Sequence, residues 1–244
     1  GKLVIDQVIL FPGNINYNAD TGEVYNYNNE NVQHLLDNRQ KYLVPLQQKG
    51  IKVILGILCN HDRACCTRLG DEAARKFARE LKAKLEAYEL DGVFFDDEYC
   101  NRGDYPGFTT YNNFSRLCYE VRKAMPNALI QAYVYSGTSS CGPVDGMQPG
   151  EFVTQAIQDY GRYYDLESDY PGLPKSGMIQ ASSEFARGSI ISESRARKIV
   201  TDGYGGTMIF SLNPNNGYVY RFNNITIPFY GEETVQTGSY AKDW

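Results

Sequence analysis

The chain has 244 residues, a length that one large domain or two small ones can fill and that α/β barrels commonly use for a single domain. Its formal net charge of −5 comes with no basic stripe, which argues against a nucleic-acid partner, and no stretch approaches the about 18 apolar residues of a spanning helix. The expectation is therefore one domain over residues 1–244 that is monomeric and binds neither nucleic acid nor membrane.

In chain order, residues 4–11 are apolar and β-branched and are closed by Gly13-Asn14, the mark of a first strand. Residues 30–50 follow with helical spacing of Val32, Leu35, Leu36, Tyr42 and Leu43, stopped by Gly50 and kinked at Pro45. Residues 52–58 form a continuous apolar run, as in strands buried on both faces of a parallel sheet. An amphipathic helix over 71–90 leads to a third strand over 92–98. A helix over 111–124 precedes a fourth strand over 128–135. Residues 152–158, 177–181 and 206–212 read as strands five to seven, with a last clear helix over 192–204. Residues 213–244 are rich in Asn, Gly and Tyr and show no periodicity. Strand–helix alternation of this kind predicts a parallel sheet, either doubly wound or closed as a barrel. Charged residues cluster just after strands, where barrel active sites are built, and this favours the barrel.

The segment Asp91-Gly-Val-Phe-Phe-Asp-Asp-Glu-Tyr99 carries the chemistry. Side chains alternate along a strand, so Asp96 and Glu98 share one face with Cα atoms roughly 6.5–7 Å apart, and Asp97 lies on the other. Like charges that close oppose double ionisation, so one carboxyl keeps its proton to higher pH and is suited to act as a general acid. Two blander readings compete. One is a solvated acidic turn, and the other is a divalent-metal site made by Asp91, Asp96, Asp97 and Glu98. With only two histidines, a three-histidine zinc site is excluded.

The stretch from Asp91 to Glu98 resembles the D-G-x-D-x-D-x-E signature of family-18 glycoside hydrolases. Continued through Tyr99, it is similar to the bacterial endoglycosidases H and F, which release N-glycans. Asn14-Ile-Asn-Tyr17, Asn60-His61, Tyr133-Val-Tyr135, Asp159-Tyr160, Gly203-Tyr-Gly205 and Lys242-Asp-Trp244 match in the same order, most closely the F type with a high-mannose preference. The resemblance implies a (β/α)₈ TIM-type barrel and an endo-β-N-acetylglucosaminidase that needs no metal or cofactor. It implies that Glu98 is the acid, that Asp96 steers the substrate's own acetamide, and that Tyr160 touches the acetamide oxygen. It also places Asn60 and His61 at the active face.

Gln131, Tyr133 and Tyr135 share a strand face and either line the sugar site or fill the barrel, with Gln131 and Tyr133 the preferred candidates. Asn213 follows the last strand and borders the site in this reading. Two departures stand out. Phe94 replaces the signature's middle aspartate, and the family's first strand has no counterpart, so an incomplete barrel of seven strands is expected. A chitinase and a non-catalytic glycan-binding barrel remain as alternatives. Against the first, the chain holds a single tryptophan, and against the second it keeps both acids.

Six cysteines without a C-x-x-C pair fit disulfides in an oxidising compartment, and a start at Gly1 fits a removed leader, so secretion is expected. Cys59 and Cys100 sit at strand ends that are neighbours in a barrel, which allows a bridge between them.

Overall fold

The computed structural model describes residues 2–101, 113–160, 163–213, 215, 217 and 219–244. The chain divides into a larger unit (residues 5–156 and 164–173) and a smaller one (residues 1–4, 157–163 and 174–244).

In the larger unit β1 (Gln7–Asn18) pairs antiparallel with β2 (Glu23–Asn28) and parallel with β3 (Lys52–Cys59). Parallel pairing continues from β3 to β4 (Gly92–Asp96) and from β4 to β5 (Leu129–Val134). Between β2 and β3 run three short helices, α1 (Glu30–Asp37), α2 (Arg39–Tyr42) and α3 (Val44–Gln48). Longer helices, α4 (Asp71–Tyr88) and α5 (Phe114–Ala124), join β3 to β4 and β4 to β5. A further short helix, α6 (Pro149–Phe152), precedes β6 (Gln155–Gln158), in which the boundary between the units falls, and α7 (Leu166–Asp169) returns to the larger unit.

Strand register decides which side chains meet. Gly56, Leu58, Phe94 and Asp96 lie on one face, because Gly56 is level with Phe94 and Leu58 with Asp96. The opposite face carries Val53, Leu55, Ile57 and Phe95, all buried, and packs under helices that contribute Phe77, Leu81, Phe114 and Leu117. A bulge interrupts β1: three residues, from Leu10 to Gly13, span what two steps of β3 cover. Gly56 lies opposite this bulge, where a Cβ would come within 2.7 Å of the Phe11 ring and 2.9 Å of the Leu10 carbonyl oxygen. Edge strand β2 is not left open at Asn26, whose N–H donates to the α4 residue Glu80 at 2.9 Å.

The smaller unit pairs β7 (Met178–Glu184) parallel with β8 (Gly206–Phe210), again with a bulge, between Ile179 and Ser182. Ser182 Oγ donates to the Gln158 carbonyl oxygen at 2.5 Å. α8 (Glu193–Thr201) is capped by Ser192 Oγ, which accepts from Arg195 N, and packs on α9 (Asn223–Tyr230). Phe185, Ile199, Phe222 and Ile225 form its core.

Seven predicted strands correspond to β1 and β3–β8, with shifted ends. The fifth begins only at Gln155, because Gln148 and Pro149 start α6 over the residues expected to open it. The expected helix over 30–50 is three pieces. Asn38 stops the first by donating both its N–H and its side chain to the His34 carbonyl oxygen, and Pro45 opens the third instead of kinking the first. Strand β2 was not anticipated, and the last helix, expected from the resemblance in shortened form around residues 218–228, is α9 at Asn223–Tyr230. The start of the predicted 111–124 helix lies outside the described residues. Among the described residues, no helix is long and apolar enough to cross a membrane.

Asp91, just before β4, is held by Val53 N (2.9 Å), Lys52 Nζ (2.9 Å) and Gln47 Nε2 (3.2 Å). Burial by itself raises this carboxyl, but the hydrogen bonds and the Lys52 charge outweigh it and hold it below the usual aspartate range. A depressed folded-state value contributes stability above the unfolded pKa of about 3.9, and that contribution is lost as pH falls through the folded value. Asp91→Asn should therefore lower Tm at about pH 7, with the gap to wild type narrowing at about pH 3. An equal gap at both pH values in thermal melts would rule out the electrostatic origin.

Candidate active site

The end of β4 delivers three acids into three environments. Asp96 is 6 % exposed and lies on the face shared with Phe94 and Leu58. Asp97 is fully buried on the opposite face. Glu98, one step beyond, is partly exposed and lines an open cleft of about 270 Å³ together with Asp97, Tyr99, Cys100, Tyr135 and Ser136. Asp96 and Asp97 fall on opposite faces as alternation predicts, while Glu98 lies beyond the end of β4, and Asp97, not Asp96, joins it in lining the cleft.

Asp97 is a structural anchor. Its Oδ2 accepts from Thr67 Oγ1 at 2.7 Å, and its Oδ1 accepts from Thr67 N at 3.2 Å and from Cys59 Sγ at 3.4 Å. A Cβ on Gly137 would stand 2.8 Å from Asp97 Oδ2, so only glycine lets the segment after β5 pass this close. Asp91 sits at the other end of β4, so the four acids weighed as a metal site do not converge. Among the described residues, Cys59, Asp97 and Cys100 bring ligand atoms within 4.8 Å of one another, but Cys100 is bonded to Cys65, and Thr67 and Cys59 already occupy Asp97.

The segments after β3 and β4 are zipped together. His61 N donates to the Tyr99 carbonyl oxygen and Asn101 N to the Asp62 carbonyl oxygen, both at 2.7 Å. Asp62 in turn accepts from Tyr17 N (2.8 Å) and Ala64 N (2.7 Å), which ties in the end of β1. The disulfide is Cys65–Cys100, not the Cys59–Cys100 pair suggested by strand ends. The reason is level: Leu58 pairs with Asp96, so Cys59 stands beside Asp97 on the helix-facing side, while Cys100 lies beyond the strand where the loop returns at Cys65. Burial pushes the Cys118 thiol up, and that of Cys141 to about 12. Cys59, hydrogen-bonded to Cys66 and buried, is raised as well, so these groups are protonated thiols near neutrality and poor nucleophiles.

Three non-glycine residues adopt left-handed backbones at successive strand ends: His61 (φ 56°), Tyr99 (φ 63°) and Ser136 (φ 53°). Such conformations are costly for a residue as large as tyrosine and persist where surrounding contacts impose them. The His61 and Tyr99 rings lie 5.1 Å apart, and Tyr99 is 57 % exposed. The Glu98 charge is the main reason that the Tyr99 phenol is raised above its ordinary value, with burial and then Asp96 adding. Tyr135 stacks on Tyr133 at 6.4 Å, and Tyr133 packs on Phe94 at 6.1 Å, which itself meets Phe11 edge-on. Phe94 thus builds an aromatic floor one level below Asp96, where the signature has an acid.

The predicted site residues are distributed unevenly. Asn60 and His61 are exposed at the end of β3, and Tyr133 lies under Tyr135 at the cleft. Gln131 is fully buried, level with Phe94, and donates to Gln7 Oε1 and Gln155 Oε1, so it braces the interior below the cleft. Tyr160 and Asn213 belong to the smaller unit. Tyr160 is 47 % exposed after β6, and exposed Asn213 accepts from Asn215 N at 2.9 Å. Thr67, Gly137 and Ser136 escaped the sequence reading because they sit in irregular loops, while Tyr99 and Tyr135 were visible as aromatic neighbours of the acidic motif.

The endo-β-N-acetylglucosaminidase F1 of Elizabethkingia meningoseptica is 50% identical over 255 aligned residues, which cover 100% of this chain and 75% of that protein. This chain belongs to the family-18 endo-β-N-acetylglucosaminidases. A second member of the family, from Flavobacterium sp. (strain SK1022), is 34% identical over 95% of this chain and 74% of its own length. Crystal structures of Bacteroides thetaiotamicron EndoBT-3987 superpose with a TM-score of 0.84 over 93% of this chain. They are 36% identical in a complex with Man5GlcNAc product and 35% identical in a complex with Man9GlcNAc2Asn substrate. This chain spans 54% and 59% of those two chains. No protein-family profile matches the chain. The fold class is the family's α/β barrel in an incomplete form.

Thr67→Val removes the hydroxyl donor from the buried Asp97 carboxylate and should cost about 1–3 kcal/mol of stability, more than Thr→Val at an exposed site. Chemical denaturation of the two variants checks this, and indistinguishable midpoints would dismiss Asp97 as an anchor.

Proposed function

We propose that this chain hydrolyses the β-1,4 bond of the N,N'-diacetylchitobiose core of high-mannose or hybrid N-glycans and leaves one N-acetylglucosamine on asparagine. The observation that carries the reading is buried Asp96 at the end of β4 with cleft-lining Glu98 two residues beyond it, in a member of this family. The complexes of EndoBT-3987 with Man9GlcNAc2Asn and Man5GlcNAc support the choice of glycan.

The carboxyl group of Glu98 gives its proton to the glycosidic oxygen as the C1–O bond breaks. The substrate's 2-acetamido oxygen attacks C1 from the opposite side and forms a cyclic oxazolinium ion, so no second carboxylate attacks carbon. Asp96, desolvated by the aromatic floor, accepts the acetamide N–H, aims the carbonyl oxygen and offsets the positive charge that develops. The Glu98 carboxylate then removes a proton from water as the water opens the ring, and two inversions retain configuration. Tyr133 shapes the floor, and Asn60 and His61 contact sugar hydroxyls. No metal or cofactor takes part. Residues 1–244 act as one monomeric catalytic domain, and the Cys65–Cys100 disulfide supports work outside the cell.

Mass spectrometry of a denatured high-mannose glycoprotein after incubation with the chain should find a single residual N-acetylglucosamine at each processed site. Glu98→Gln should reduce kcat by about 10²–10⁴-fold, the usual worth of general acid catalysis. An unchanged rate in Glu98→Gln would refute the assignment, and glycan binding without cleavage by wild type would favour a lectin-like role.

A further inference from the structure

Four of the six cysteines gather where β3 and β4 end. Cys65 and Cys100 are bonded to each other, and Cys59 and Cys66 are buried thiols in hydrogen-bond contact. Cys59 Sγ donates to Asp97 Oδ1 at 3.4 Å and lies within 4.8 Å of Cys100 Sγ. A thiol thus stands beside a disulfide, in a position to exchange with it. Cys118 and Cys141 belong to α5 and to the segment after β5, where Cys141 Sγ meets Ser115 Oγ at 3.3 Å.

The two ends of the bridge differ in access. Cys65 is fully buried, whereas Cys100 is half-buried and lines the open cleft beside Glu98, Tyr99 and Ser136. A small thiol in the cleft therefore meets Cys100 and not Cys65. Glu98 and Asp97 line the same cleft, so like charge disfavours an anionic thiol there and favours a neutral or cationic one. Exchange proceeds by attack of a thiolate on one sulfur of the disulfide, through a mixed disulfide. Attack at Cys100 bonds the small thiol to Cys100 and expels Cys65 as a thiolate, which takes up the proton that the incoming thiol gave up. Cys59 can then attack Cys100 Sγ in turn. The Cys59 proton goes to the departing small thiol, and a Cys59–Cys100 bond replaces Cys65–Cys100. The small thiol is returned, and nothing is oxidised or reduced overall. The hydrogen bond with Cys66, and burial, hold Cys59 as a thiol near neutrality, so this second step is slow there and the bridge does not scramble at rest.

We propose that Cys100 is a thiol-exchange site: a small neutral or cationic thiol entering through the cleft opens the Cys65–Cys100 bridge at Cys100, and Cys59 closes it again as Cys59–Cys100. The exchanged form differs at the cleft. Cys59 no longer donates to Asp97, which loses one of its three donors. Cys59 and Cys100 are not level on the sheet, so the new bridge draws the residues after β4 back toward the end of β3. The cleft is in this way coupled to the thiol–disulfide state of its surroundings.

The probe is cysteamine with a trace of cystamine, added to the full folded chain at about pH 9, where thiolates are available. Acid quenching, alkylation and peptide mapping without reduction then read the sulfur connectivity, whether or not the chain cleaves glycans. Wild type should gain the mass of cysteamine on Cys100 and none on Cys65, and should go on to a Cys59–Cys100 bridge. Cys59→Ser, which keeps a hydroxyl donor for Asp97, should still take cysteamine on Cys100 but lose the second bridge entirely. Cys66→Ser should keep both products. Cys59→Ala gives a second reading of the same loss, and circular dichroism melts confirm that each variant is folded. Cys65–Cys100 as the sole product, with no cysteamine on Cys100, overturns the proposal. Cysteamine on Cys65, a mixed disulfide at Cys100 that never passes to Cys59, or exchange confined to chain unfolded in guanidinium overturns it as well.

Discussion

The active end of the larger unit hangs on one buried carboxylate. Asp97 is fully enclosed, and an enclosed charge is tolerable only if its oxygens are matched by donors. Thr67 supplies two of them and Cys59 a third, and Gly137 gives up its side chain to let the next segment pass. A single side chain on the helix-facing side of β4 thus fixes the ends of β3, β4 and β5 together, one residue before Glu98. The zipped backbones of His61 with Tyr99 and Asn101 with Asp62, and the Cys65–Cys100 bridge, extend this clamp outward. The left-handed conformations of His61, Tyr99 and Ser136 are sustained by that over-determination.

The four acids between Asp91 and Glu98 show how one strand sorts identical chemistry into different work. Asp91 closes the start of the strand against Lys52, Val53 and Gln47. Asp96 stands desolvated above Phe94, Asp97 anchors loops from the rear, and Glu98 reaches the cleft. Period-two alternation separates Asp97 from its neighbours, and the strand's length separates Asp91 from all of them. The aromatic layer of Phe11, Phe94 and Tyr133 beneath the site substitutes for the buried acid of the signature, so Asp96 rests on rings and not on a second carboxylate.

What was legible in the sequence followed from periodicity. The continuous apolar runs of β3, β4 and β5 and the amphipathic α4 are strong patterns, and alternation foretold that Asp96 and Asp97 face opposite ways. The hairpin strand β2 was not legible, although Glu-Val-Tyr-Asn-Tyr-Asn alternates perfectly, because its buried face is largely asparagine and a search for apolar alternation passes over it. The long helix over 30–50 failed at Asn38, where capping hydrogen bonds to His34 defeat a correct apolar spacing. The disulfide eluded strand-level reasoning because Cys65 lies in a loop whose return path is set by Asp62 and Thr67. Gln131 kept its predicted face but sits a level too low for the cleft, a depth that alternation cannot give.

The bulge in β1 has a consequence for how that strand tolerates a change of length. Up to Leu10 the strand keeps step with β3, and one additional residue before Gly13 has no partner of its own there. Loss of that residue would let the strand meet Leu55, Gly56 and Ile57 in plain alternation, so Gly13, Asn14 and Ile15 would keep their partners and their faces. The hairpin's register thus withstands a deletion of one residue at this point. What would be lost is the bend opposite Gly56, where the Phe11 ring and the Leu10 carbonyl oxygen leave no room for a side chain.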